Sequence, residues 1–404
     1  MFSSLGYILR SRQLTALSLM VFLVGTAGAA TLPYLSVTAI GELHISNRNF
    51  SLIIFASAIT AVTISVVIGI LSDRMHDRRP MTAILALVGA LGFGSIFLFP
   101  RIPVFVGATV LLIPFFQAVL ATVFSTTRLE TASLSPREAA QVNATIRTAL
   151  SAAWVLMPGA IGLLLAGAGC MLGAWGLAGL ACLLVALAAA FLLRAPDGPR
   201  GHDADRPGFV AGLKALATPA MLVRLLSISA ITATIRLTAN TWPLILTLEL
   251  GGTTANVGLI AGIVALVEIP FMLLWASALR RIGIVPIIIA AALLYMAQML
   301  AISMATAAWQ IYGLTALGGA AAAALLSMPL SYFQDLFPGR PGLGTSLFPI
   351  NNFIGNGLTA LAFAAGTHFF GYGGTLWLGA ALAGVGIVAL LAVERKTAPP
   401  APAA

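Results

Sequence analysis

Three ionisable side chains sit where the surrounding sequence is almost wholly apolar: Arg147, Arg236 and Glu268. A charge inside a membrane-spanning helix costs roughly 2.5–3.5 kcal/mol on insertion scales, so such residues are functional candidates by default. The chemistry open to them is proton handling. A carboxylate can hold a proton in one conformation and release it when a guanidinium approaches in another. Glu268 is the candidate carrier, with Arg147 and Arg236 as the cations that would govern it. The same groups could instead form a static Glu–Arg tie between helices. Arg147, close to one end of its run, could also reach water along the helix surface.

The elements that must position these residues follow from composition. Hydrophobic residues make up 60% of the 404 and charged residues 8%, against about 45–50% and about 25% in soluble domains. The chain belongs in lipid. Apolar runs long enough to span a bilayer occur twelve times, over 14–40, 50–71, 81–99, 103–126, 142–168, 172–193, 220–247, 254–279, 284–306, 308–331, 344–368 and 372–393. The first run, although it follows Arg10 and Arg12, is too long for a usual signal peptide and reads as an uncleaved span.

The polar stretch Arg194–Pro219 interrupts the pattern at its midpoint. The expected organisation is therefore a six-helix bundle over 1–193, a linker over 194–219, a second six-helix bundle over 220–393 and a disordered tail over 394–404. Phe209–Leu216, within the linker, could form a short amphipathic helix on the membrane surface. Basic residues collect at alternate gaps, and only Arg48 and Arg101 fall on the other side. That bias places both termini and the linker in the cytoplasm. A net charge of +9 spread in this way is a topology signal rather than a nucleic-acid patch. No phosphate-cradling glycine loop, metal-ligand spacing or intramembrane catalytic pair is present, so neither an ATP motor, a cofactor, a metal nor an enzyme is expected. Cys170 and Cys182 read as structural thiols.

The gap after the second run reads Gly69-Ile-Leu71-Ser-Asp73-Arg74-Met-His76-Asp77-Arg78-Arg79. It resembles the signature loop of the major facilitator superfamily, Gly-x-Leu-x-Asp-Arg-x-Gly-Arg-Arg, with His76 and Asp77 departing from it. Three further stretches resemble the bacterial sugar efflux transporters of that superfamily. They are Ile146-Arg147 through Ser151, Trp154 and Pro158-Gly159; Val267-Glu268-Ile-Pro270; and Phe333-Gln334-Asp335 through Pro338-Gly339-Arg340. Pro158-Gly159-Ala-Ile-Gly162 partly resembles an exporter motif. The resemblance implies a major facilitator fold: all-α, twelve transmembrane helices, two pseudo-symmetric bundles. It also implies export of sugars or small glycosides by proton antiport and alternating access, by a monomer in a bacterial inner membrane. The alternative is an exporter of drugs or other small metabolites.

Sugar recognition calls for planar amides and an aromatic face. Gln117, Trp154, Asn240, Trp242, Asn351, Asn352 and Asn356 supply them, the last two sharing one helix face. Each alone could be an interhelical hydrogen bond. A cytoplasmic gate would draw on Gly69, Asp73, Arg74, Arg78 and Arg79, with Glu130, Arg137, Asp335 and Arg340 from the matching gaps after the fourth and tenth runs.

Overall fold

The computed structural model describes residues 2–75, 77–131, 134–166, 171–194, 218–337 and 341–397. Among them there is no strand. Most of the linker, the end of the tail, Cys170 and the Pro338–Arg340 triplet lie outside the described residues.

A short helix α1 (Phe2–Arg10), not expected from the sequence, precedes α2 (Arg12–Thr31). The axis then tightens through Leu32–Tyr34 and widens into a π-helical turn at Val37–Glu42. There follow α3 (Asn47–Arg74), α4 (Arg79–Leu98), α5 (Ile102–Gly107) with a π-turn at Ala108–Leu112, α6 (Ile113–Glu130), α7 (Pro136–Ala166) and α8 (Leu172–Phe191). Beyond residue 217 come α9 (Pro219–Leu244) with a π-turn at Ile245–Glu249, α10 (Thr254–Ile282) and α11 (Ile284–Ser303). The chain closes with α12 (Ala308–Asp335), α13 (Pro341–Phe369) and α14 (Gly371–Thr397).

Local chemistry sets these ends. Ser11 and Ser46 accept hydrogen bonds from the Leu14 and Asn49 amides, satisfying donors the helix start leaves free. Proline opens α4, α6 and α9 at positions where a missing N–H does no harm. Gly283, at φ 76°, makes the left-handed turn between α10 and α11 that a side chain would resist. Large apolar side chains such as Leu164, Phe191, Leu273 and Val385 face outward, as lipid permits.

Eleven of the helices are long and apolar enough to cross a membrane. α13 has the length, at 29 residues, but not the hydropathy, because Asn351, Asn352 and Asn356 lie in its middle. It is the twelfth span of the all-helical architecture.

The chain divides into two compact units. The first is Met1–His202 with Leu246–Ala265, and the second is Asp203–Ile245 with Leu266–Ala404. The π-turn after α9, from Leu246 on, and the first half of α10 thus group with the first unit rather than with 220–393. The reason lies in glycine: a Cβ on Gly258 would collide with the Pro158 carbonyl and the Tyr34 hydroxyl, and one on Gly162 would press on Ala255 at 3.1 Å. Without those side chains α10 packs close on α7, as small residues allow in membranes. The tail also starts later than expected. α14 runs on to Thr397 because Glu394 accepts hydrogen bonds from Arg224 Nε and the Tyr332 hydroxyl, each at 2.7 Å.

Candidate transport site

The second unit carries its polar chemistry on α9. Ser229, Thr232 and Arg236 are three and four residues apart, so they share one helical face, and that face meets α13. Ser229 donates to Asn351 Oδ1 at 2.9 Å, and Asn351 Nδ2 donates weakly to Thr232 at 3.4 Å. Arg236 Nη2 donates to Asn352 Oδ1 at 2.9 Å. Gly355 makes room for the guanidinium, since a Cβ there would sit 3.2 Å from Arg236 Nη1.

These bonds sort the asparagines. Asn351 is 1% exposed and both ends of its amide are engaged, which makes it a helix–helix pin. Asn352 is half-buried and holds Arg236 by an uncharged acceptor. Asn356, half-buried one turn further along the face, makes no side-chain hydrogen bond among the described residues. Asn240 donates to the Arg236 carbonyl of its own helix at 2.9 Å, and Trp242 is 7% exposed. A guanidinium has five N–H donors. Arg236 therefore retains donors for a ligand hydroxyl or a carboxylate.

Glu268 lies half-buried in α10, two residues before Pro270, which removes a backbone hydrogen bond from the helix. It forms no ion pair with Arg236 among the described residues.

The first unit is different. Arg147 is exposed and stands over the Phe124 ring at 5.1 Å from its centroid. Trp154 is half-buried, its ring 3.6 Å from where a Cβ on Gly28 would lie. Gln117 is exposed. No hydrogen bond joins these three among the described residues.

On the basic face, Arg79 forks onto Asp77 (2.7 Å at the closest) and reaches the Leu193 carbonyl at 3.2 Å. The acid that departs from the superfamily pattern is thus the one that seats Arg79. Gln13 donates to Glu130 at 2.6 Å while its carbonyl accepts from the Arg194 amide at 2.7 Å, tying α2, α6 and the end of α8. Arg78 Nε reaches the Ser72 carbonyl at 3.4 Å. Gly69 is helical with open space around it, and Asp335 is exposed. The side chains of Asp73, Arg74 and Arg137, and all of His76 and Arg340, lie outside the described residues.

Sequence reasoning missed several groups. Gln298, 2% exposed in the apolar α11, leaves Oε1 without a partner among the described residues and fits only because Gly318 lacks a side chain; a lone amide in an apolar run was its signal. Glu42 caps the start of α8 through the Met171 amide at 2.7 Å, with Oε2 buried and unpartnered among the described residues. Burial, against the pull of that amide, holds its carboxyl above the usual carboxylate range. Arg224, Tyr332 and Glu394 left no signal, because helix-end charges read as orientation.

Helices of this length and composition, with an Arg–Asn pair among them, mark a multi-pass membrane protein. The family model described as "Major Facilitator Superfamily" matches residues 17–242, more than half of the chain. The chain belongs to that superfamily. It is 28% identical over 376 residues to the "Putative sugar efflux transporter" of Deinococcus radiodurans, covering 91% of this chain and 94% of the relative. It is also 28% identical to "Sugar efflux transporter A" of Escherichia coli, covering 94% and 95%. Among solved structures, the nucleoside transporter NupG superposes with a TM-score of 0.78 at 13% identity, covering 95% of this chain and 99% of that one. The POT family transporter PepTSo does so with 0.75 at 13%, covering 95% and 98%. These two likenesses concern the fold alone.

Proposed function

We propose that this transporter exports sugars or small glycosides across a bacterial inner membrane by proton antiport, with its basic face in the cytoplasm and the monomer as the working unit. The substrate class rests on the likeness to proteins named sugar efflux transporters over nine-tenths of the chain. The coupling rests on one observation: Glu268 sits inside an apolar helix with no ion-pair partner among the described residues. A carboxylate so placed is neutral when it carries a proton and seeks a cation when it does not. Arg236, held by an amide rather than by an acid, is the cation available in its own unit, and Arg147 is the candidate in the other.

In the second unit, Asn352, Asn356 and the free edge of Arg236 form the sugar-facing set; in the first, Trp154 is the candidate aromatic face. Gln117, Asn240 and Trp242 are secondary candidates, and Asn351 serves by fixing α13 against α9. The Asp77–Arg79 fork and the Gln13–Glu130 tie hold helix ends together on the cytoplasmic face of the first unit. Alternating access between 1–193 and 220–393 moves the substrate outward.

Purified protein in vesicles under an imposed pH gradient tests this reading. Movement of a labelled lactose-like glycoside that collapses the gradient supports it. Movement of a lipophilic cation alone supports a drug exporter instead. Gradient-independent flux removes the coupling.

A further inference from the structure

A cavity of about 350 Å³ opens between α6 and α7, lined by Phe124, Arg128, Ala140, Asn143, Ala144 and Arg147. Its size falls in the range of small-molecule sites, about 300–1,000 Å³. Helical spacing builds it. Phe124 and Arg128 are four apart on α6, and Ala140, Asn143, Ala144 and Arg147 share one face of α7. The two alanines leave the gap that larger side chains would close.

Its chemistry is one-sided. Two guanidinium groups line the cavity and no acidic residue does. Among the described residues neither arginine has a carboxylate partner, and the nearby Glu130 is engaged by Gln13. Arg147 lies against the Phe124 ring, an arrangement that steadies a guanidinium while leaving its N–H edge free to donate. Asn143 donates its Nδ2 to the Ala139 carbonyl at 2.9 Å, so its Oδ1 is the acceptor left for a ligand hydroxyl. Paired guanidinium forks fit a phosphate or carboxylate, and one amide oxygen beside them fits a hydroxyl.

We propose that this cavity binds a hydroxylated anion, a phosphate or carboxylate borne on a polyol frame. A free sugar phosphate and a phosphatidylglycerol headgroup share that chemistry. The site is distinct from the Arg236–Asn352 pair and does not rest on the sugar-export reading, because its test reads binding.

The test uses full-length protein in phosphatidylcholine nanodiscs, titrated with glucose 6-phosphate, inorganic phosphate and glucose. Glucose 6-phosphate should bind at least about tenfold more tightly than glucose, as charge-assisted bonds imply. Arg128→Gln and Arg147→Gln should each abolish most of that preference, and Arg147→Lys should retain part of it. Asn143→Ala should weaken glucose 6-phosphate while leaving inorganic phosphate unchanged. Thermal unfolding of each variant verifies that it folds.

A parallel arm uses nanodiscs containing phosphatidylglycerol, with retained lipid read by native mass spectrometry. Lipid held by the wild type, lost in both glutamine variants and displaced by glucose 6-phosphate assigns the cavity to the headgroup. Equal binding of glucose and glucose 6-phosphate with no preferential lipid retention overturns the proposal. So does anion binding that survives both glutamine substitutions. Neutral glycoside antiport in vesicles can persist in either case, so the two readings fail separately.

Discussion

The two units arrange their polar side chains differently. In the second, a strip on α9 is fastened to α13 within the apolar layer, through Ser229–Asn351 and Arg236–Asn352. In the first, Arg147 and Gln117 are exposed, and charged or amide side chains tie helices at their ends, Gln13 to Glu130 and Arg79 to the Leu193 carbonyl at the basic end and Glu42 to the Met171 amide at the other. Other polar contacts between helices in the first unit are single bonds, among them Tyr34 to the Pro158 carbonyl, Trp175 to Thr38 and Thr82 to Thr122. Similar helical architecture thus carries dissimilar chemistry. A polar group buried with partners fixes helix register, whereas an exposed one can exchange partners. We propose from this comparison that recognition and coupling fall chiefly to the second unit.

The largest expected effect tests that assignment directly. Glu268→Gln should reduce gradient-driven glycoside accumulation in vesicles to background while leaving equilibrium exchange measurable; undiminished accumulation would return the coupling to the first unit. Next, Arg236→Gln should weaken glycoside binding by about tenfold or more, since it removes a charged donor worth roughly 1.5–3 kcal/mol. Gln117→Ala, in the first unit, should change affinity less than threefold in the same titration. Equal losses would erase the contrast.

Packing gives a third test. Gly318→Ala pushes a methyl group into Gln298 and should destabilise the protein by about 1–3 kcal/mol in detergent unfolding, whereas Gly69→Ala meets open space and should be near neutral. At the basic face, Arg224→Ala strips Glu394 and Tyr332 of a partner and should cost about 1–3 kcal/mol. Gln13→Ala should cost about 1 kcal/mol. The smallest effect concerns Glu42. Burial raises its carboxyl above the usual range, so folding favours the protonated form. Stability is then lost as pH rises from that range through the raised value. Glu42→Gln should flatten that loss in a melting series from acid to neutral pH.

Span number and span position were legible because hydropathy over about 20 residues is a local property. The partners were not. Arg236 and Asn352 are separated by 116 residues, and nothing in either run states which face of α9 meets which face of α13. The glycines that decide close approach, Gly258 and Gly355, look in sequence like any other glycine in a membrane helix. Asp77 departs from the loop pattern in sequence, and in the structure it seats Arg79. Glu394 was read as the first residue of a tail because a helix end rich in charge resembles a solvated terminus. Its ion pair with Arg224, 170 residues away, keeps it in the helix.

The low hydropathy of α13 has a bearing on how the protein is made. A segment with three asparagines near its middle partitions poorly into lipid on its own, so the insertion machinery has weak grounds for releasing it sideways. α9 emerges from the ribosome well before it and carries the complementary face. Synthesis order therefore places a docking surface in the bilayer before the reluctant segment arrives, and Arg236 and Asn352 each relieve the other's exposure to hydrocarbon. On this view the residues that would recognise a sugar also act earlier, as the contacts by which the newly made chain completes its topology.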